Sequence, residues 1–234
     1  MSKLIMSGRN SVIEAVKFNF PIEKIWVTNQ KDKDLILKLK KQNFKIEIID
    51  KNTINQQIKE NHQNFVAFIK NIDTHPLEVI YKDKPMSVLI LDHIQDPHNF
   101  GAIIRTANAA GVKHIIYPKD RAADITSTVL KISSGGFVDM KFIKVASISA
   151  AITSLKKNNF WIYASNLNEN AHSYNQVNYN FPLALVVGNE QEGISKSTLK
   201  MSDMEIYINQ RGSVQSINVS VATGILLFKI NEFL

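Results

Sequence analysis

A chain of 234 residues, 44% hydrophobic and without cysteine, has apolar content enough for one or two packed domains and excludes disulfides, thiolate zinc sites and a cysteine nucleophile. Its 28 Lys and Arg against 21 Asp and Glu give a formal charge of +7, which points to a polyanionic partner, RNA or DNA before membrane. No apolar run approaches the roughly 20 residues of a membrane helix, the first residues lack a signal-peptide core, and the six His show no ligand spacing, so a cytoplasmic protein with no metal is expected.

Taken in order, residues 4–18 read as a helix with Ile13 and Val16 facing inward, led in by Gly8-Arg9-Asn10-Ser11. Lys24–Thr28 reads as a strand, Lys31–Gln42 as a lysine-rich helix, Lys45–Ile49 as a strand, Asn52–Lys59 as a helix and Phe65–Ile69 as a third strand. This alternation suffices for a small α/β domain over residues 1–75. Residues 1–84 carry 15 Lys and Arg against 10 Asp and Glu, and the remainder 13 against 11. The front part is therefore the more basic. Two prolines and mixed charges mark 76–85 as a linker to a second domain, 86–234.

The second domain opens on strand Val88–Leu91, a polar break Asp92–Pro97, and a helix for which Asn99 is a suitable N-cap and Gly111 the stop. On that helix Phe100, Ile103, Ile104 and Ala107 share one stripe, whereas Arg105 stands on the far side among Gly101, Ala102 and Ala109. An exposed surface charge would look the same. However, only four of the 28 basic residues are Arg, so a generic charge here would more naturally be Lys, and Arg hints at a need for a planar fork. Further on, strands are expected at His114–Tyr117, Lys141–Val145, Phe160–Ala164, Leu183–Val187 and Glu205–Ile208. Helices fall near 124–133, at Ile148–Asn158 and at Val219–Phe228. Leu183–Val187 is an uninterrupted apolar run, as in a parallel strand covered on both faces. The last helix is apolar nearly all round and is expected to be buried.

Parallel α/β sheets bind ligands beyond the carboxyl ends of their strands, and three such ends carry unusual residues. These are Asp96-Pro97-His98-Asn99 with Arg105 behind it, Gly188-Asn189-Glu190 with Gly193, and Ile208 through Ser216 and Asn218. Each has a plainer alternative. Asp96-Pro97 is also a good turn, the two glycines can simply bracket a loop, and Ser216 is as good an N-cap as a ligand contact. No Gly-x-Gly-x-x-Gly follows a strand and no Walker loop exists, so the usual dinucleotide and nucleoside triphosphate sites lack support.

Together, in this order and spacing, the three loops resemble the signature motifs of the SpoU-type, TrmH-like RNA 2′-O-ribose methyltransferases of the SPOUT superfamily. Asp96-Pro-x-Asn99-x-Gly101-x-x-x-Arg105 matches the first motif, Gly188-Asn-Glu190-x-x-Gly193 the second and Ser216-Ile-Asn218-Val-Ser-Val-Ala the third. Gly8-Arg-Asn-x-Val and His62-Gln-Asn-Phe-Val-Ala67 resemble the small ribosomal-protein-like RNA-binding domain of the members that methylate a guanosine of 23S ribosomal RNA.

The resemblance implies an α/β fold whose C-terminal parallel-sheet SPOUT domain carries a deep trefoil knot, a homodimer, ribosomal RNA as partner and S-adenosylmethionine as cofactor. It implies backbone contacts to the cofactor from Gly188, Ile208 and Ile217, with Asn189, Gly193 and Ser216 beside them. The catalytic group would be Asn99, Arg105, Glu190, Ser216 and Asn218. Two positions depart from the pattern: Asn209 stands where the family has proline, and Asn64 where it has glycine. The family proposal makes Arg105 the proton acceptor. Guanidinium has no lone pair to offer, so stabilising a developing alkoxide and gripping a phosphate is the easier role for it. Alternatives are a transfer RNA or resistance-type 2′-O-methyltransferase, and a non-catalytic RNA-binding or ribosome-assembly module.

Overall fold

The computed structural model of the chain describes residues 4–28, 32–59, 61–70, 72–189 and 191–234. The chain divides into two compact units, one of Met1–Ile72 with Ile125–Val138, the other of Asp73–Asp124 with Asp139–Leu234.

In the first unit, β1 (Leu4–Ser7) precedes α1 (Arg9–Lys17), β2 (Ile22–Val27), α2 (Lys33–Lys41), β3 (Ile46–Ile48), α3 (Lys51–Gln57) and β4 (Phe65–Ile69). The sheet order is β1-β4-β2-β3, with β4 antiparallel to both neighbours and β2 parallel to β3. Leu4–Ser7, expected to start a helix, is a strand because it pairs with the fully buried Phe65–Ile69. A four-residue apolar run has no period of its own, and the long-range ladder decides it. Gly8, at φ 101, then turns the chain into α1. Trp26, Ile54, Ile58, Val66 and Phe68 form a core on one side of the sheet. Asn64 has φ 69, a left-handed conformation that Asn tolerates better than most side chains, so the departure from glycine fits the backbone. Its N–H donates to His62 Nδ1 at 3.1 Å.

The second unit opens with a difference from expectation. The proposed linker contains α4 (Glu78–Asp83), and its Ile80 is fully buried in the core of this unit. The chain continues through β5 (Ser87–Asp92), α5 (Pro97–Ala109) and β6 (His114–Pro118); α6 (Ser127–Ser133) falls in the first unit. Then follow β7 (Lys141–Val145), α7 (Ile148–Lys157), β8 (Trp161–Ser165), β9 (His172–Ser173), β10 (Leu183–Gly188), α8 (Lys196–Leu199), β11 (Met204–Tyr207) and α9 (Val219–Asn231). The seven strands are parallel, in the order β7-β6-β5-β10-β8-β11-β9.

α4 and α7 cover one face through Ile80, Ile148, Ile152 and Leu155 against Ile90, Ile116, Ile162 and Val186. On the other face α5 brings Phe100 to 5.4 Å from the Tyr117 ring, and α9 packs on α5 and β10. Double coverage explains why β5 and β10 read as unbroken apolar runs. α9 itself does not match its expectation. Leu226, Leu227 and Ile230 are buried, but Val221 is 50% and Phe228 53% exposed, because one sheet and one helix can cover only one side of a helix apolar on every side.

Candidate active site

The carboxyl ends of three adjacent strands, β8, β10 and β11, open onto one cavity of about 410 Å³. β10 supplies Val187 and Gly188 and leads into Asn189, and β11 ends on Tyr207 and leads into Ile208. The segment before α9 supplies Ser216, Ile217 and Asn218, with Gly193 closing a side. All six residues expected to touch a cofactor, Gly188, Asn189, Gly193, Ile208, Ser216 and Ile217, thus line the same cavity. The sequence reading missed a fourth wall, Ser165 at the end of β8 with Asn166 and Leu167 after it. The rule used for the other loops would have found it, since these residues also end or follow a parallel strand.

The loop after β10 is held from within. Asn189 and Gly193 exchange backbone hydrogen bonds of 3.1 and 2.9 Å, and Asn189 Oδ1 accepts from the N–H groups of Gln191 and Glu192. Asn189 Nδ2 donates to the His93 carbonyl at 3.1 Å. The buried Asp92, paired in register with Gly188, accepts from the Ser195 N–H at 2.9 Å and from His93 Nδ1 at 2.5 Å. Gly188 is required by this loop itself: a Cβ there would lie 2.3 Å from the Gly193 carbonyl carbon. Of the two readings open from the sequence, a loop bracket or a close approach to a ligand, the first is met by the chain's own backbone, and it leaves the Gly188 backbone on the cavity wall. Glu190 lies outside the described residues.

Two caps differ from the sequence reading. The N-cap of α5 is Asp96, whose Oδ1 accepts from the His98 N–H at 2.9 Å, with Pro97 in the first turn. Proline lacks an N–H and prefers the start of a helix, so the cap falls just before it. Asn99, displaced into the first turn, accepts through Oδ1 from Asn218 Nδ2 at 2.9 Å. Asn218, not Ser216, caps α9, with its Oδ1 taking the Ser220 N–H. The first and third motifs therefore meet in one side-chain bond at the cavity rim. Asn209 is likewise engaged, its side chain hydrogen-bonded to the Ser173 hydroxyl, a tether where a proline would have stiffened the chain.

Arg105 does not line the cavity. It is exposed on α5, as its position opposite the buried Phe100–Ala107 stripe requires, and makes no ion pair among the described residues. Near it α5 and α9 approach closely, since a Cβ on Gly224 would come 3.1 Å from Thr106 Cγ2. The described lining residues are all neutral, so a ligand would be held by backbone groups, amides and hydroxyls. The volume and this lining suit a ligand of nucleoside size.

Comparison with known proteins finds relatives of both parts of the chain. The profile of the SpoU rRNA methylase family matches residues 86–228, and that of the RNA 2′-O ribose methyltransferase substrate-binding domain matches residues 5–75. A Staphylococcus saprophyticus protein assigned to the TrmH family of tRNA and rRNA methyltransferases is 33% identical over 98% of this chain and 96% of its own. An rRNA methyltransferase from Sinorhizobium meliloti, solved with S-adenosylmethionine, superimposes with a TM-score of 0.78 at 24% identity, covering 99% of this chain and 88% of that one. A TrmH/SpoU tRNA-modifying enzyme of A. aeolicus is 33% identical with a TM-score of 0.58, covering 63% of this chain and 74% of that one.

Proposed function

The chain belongs to the SpoU rRNA methylase family, and we propose that it methylates the ribose 2′-hydroxyl of a guanosine in 23S ribosomal RNA, using S-adenosylmethionine. The observation that carries this reading is the convergence of three separate loops on one cavity whose described lining is neutral, with Asn99 and Asn218 joined at its rim. When bound there, S-adenosylmethionine supplies an electrophilic methyl group on a sulfonium.

The protein's own part is alignment and charge. Gly188, Ile208 and Ile217 hold the cofactor by their backbone groups, and holding the hydroxyl oxygen in line with the methyl and sulfur supplies much of the acceleration. The attacking hydroxyl would also have to lose its proton, which passes to solvent water, and the protein's part is to hold the oxygen in place while it does so. Asn99, Glu190, Ser216 and Asn218 belong to the group around the attacking oxygen. Arg105 grips a phosphate and stabilises the developing alkoxide.

The C-terminal segment is knotted in this reading, and a second copy of the chain covers the outer apolar side of α9 at Val221 and Phe228. The basic first 75 residues bind the RNA, and the reaction belongs in the cytoplasm. Transfer RNA is the second reading, favoured by the tRNA-modifying relative.

Mapping ribose methylation in the RNA of cells with and without the protein tests both. We expect one guanosine methylation in 23S ribosomal RNA to disappear. Loss from transfer RNA would select the second reading, and loss from neither would count against an RNA methyltransferase role.

A further inference from the structure

The fourth cavity wall, after β8, is held by a residue that no motif contains. Asn166 lines the cavity, and its Nδ2 donates to Glu205 Oε2 at 2.6 Å. Asn168 Nδ2 donates to the same oxygen, while Asn168 Oδ1 accepts from the Asn170 N–H at 2.8 Å and closes the turn. Glu205 lies on β11, paired in register with Ala164 of β8, and the Asn166 N–H donates to the next β11 carbonyl, Ile206, at 2.9 Å. Backbone and side chain of Asn166 are thus both tied to the neighbouring strand.

The chemistry of the pair fixes more than position. A carboxamide can present either its NH₂ or its oxygen, but an ionised carboxylate has no proton to give and can only accept. Opposite Glu205 the amide must therefore turn its NH₂ inward, which directs Oδ1 elsewhere. No group among the described residues donates to that oxygen, and it is not a buried orphan. The cavity wall is left with an oriented, available acceptor.

We propose that Glu205 is a positioning residue that acts through Asn166: it locks the carboxamide so that Oδ1 receives a hydrogen bond from an N–H or O–H donor of the cofactor. This rests on the reading that the cavity holds S-adenosylmethionine. A neutral amide would be free to turn either way; the carboxylate on β11 removes that freedom, at a position outside all three signature loops.

The test is calorimetric titration of the full-length protein with S-adenosylmethionine and S-adenosylhomocysteine, for wild type, Asn166→Ala, Asn168→Ala, Glu205→Ala, Glu205→Gln and the Asn166→Ala/Glu205→Ala pair. Loss of one hydrogen bond of this kind costs about tenfold in affinity. Asn166→Ala and Glu205→Ala should each weaken both ligands by about that factor, and the pair should be no worse than either alone. Glu205→Gln should fall between, since glutamine can donate as well as accept and no longer fixes the amide. Asn168→Ala should bind as wild type does. In turnover, KM for the cofactor should rise while kcat at saturation stays unchanged. Wild-type affinity in Asn166→Ala or Glu205→Ala, additive losses in the pair, or an equal loss in Asn168→Ala would each overturn the proposal. Failure of wild type itself to bind S-adenosylmethionine would instead sink the cofactor reading, and this inference with it.

Discussion

Asn99 shows how far a residue's role can be read before its neighbours are known. Its type and spacing mark it as functional or as a helix cap, and both are reasonable for a short amide before an apolar stripe. Pro97 settles the cap in favour of Asp96, and the partner of Asn99 turns out to be Asn218, 119 positions away. No local pattern could have supplied that bond. Arg105 was readable as exposed, because the buried stripe of its helix was readable. On an ordinary surface position Arg105→Lys would be silent. If Arg105 grips a phosphate beside the attacking oxygen, a point charge replaces a fork, and single-turnover methyl transfer should fall on the order of a hundredfold with cofactor affinity and melting temperature unchanged. Near-normal turnover would return Arg105 to the surface. Gly188→Ala makes a harsher change. Its Cβ would meet backbone, not a movable side chain, so the loop carrying Gly193 must shift, at a cost of about 1–3 kcal/mol. Chemical denaturation should report that loss, and titration should show weakened cofactor binding. An unchanged protein would mean the loop relaxes freely.

Elements were legible where they had a period or were long, and obscure where distant pairing decides. The unbroken runs of β5 and β10 announced strands covered on both faces, whereas Leu4–Ser7 became a strand only by its ladder to β4. β9, two residues long, and α8, four residues long, gave no period to read. In the first sheet a polar cluster ties β2 to β3: Glu47 accepts from Lys24 Nζ at 2.8 Å and Trp26 Nε1 at 2.7 Å. Lys24, Trp26 and then Lys45 hold the Glu47 carboxyl down at about 2. A carboxylate whose folded value is depressed adds stability at pH above its unfolded value, near 4.5, and loses it as pH falls from there toward 2. Wild type should therefore lose more stability than Glu47→Gln across that window, in denaturant titrations run at pH 7, 4 and 3. Parallel losses in the two proteins would show that Glu47 is not linked to folding.

At the scale of the whole chain, the order and spacing of three motifs was enough to anticipate the family and two of the three strand ends where the cavity opens, those of β10 and β11 but not of β8. What stayed hidden was allegiance. The helix near 124–133 was readable, but its grouping with the first unit depends on contacts such as the Phe20–Phe137 ring pair at 4.4 Å, made between distant segments. The same holds for α9, whose composition called for burial that this chain provides on one side only. If a second copy supplies the rest, Phe228→Glu should convert a dimer to a monomer in analytical ultracentrifugation and lower methyl transfer. A variant that sediments as wild type does would place the dimer contact elsewhere. The central claim, methylation at the ribose 2′-oxygen, is tested most directly by incubating the protein with methyl-labelled S-adenosylmethionine and 23S ribosomal RNA, then digesting the RNA with alkali. Alkaline cleavage uses the 2′-hydroxyl as its nucleophile, so a methylated ribose leaves the adjoining phosphodiester intact. The account predicts label in an alkali-stable dinucleotide that begins with guanosine; label in mononucleotides, as a methylated base would give, or no label in RNA, would contradict it.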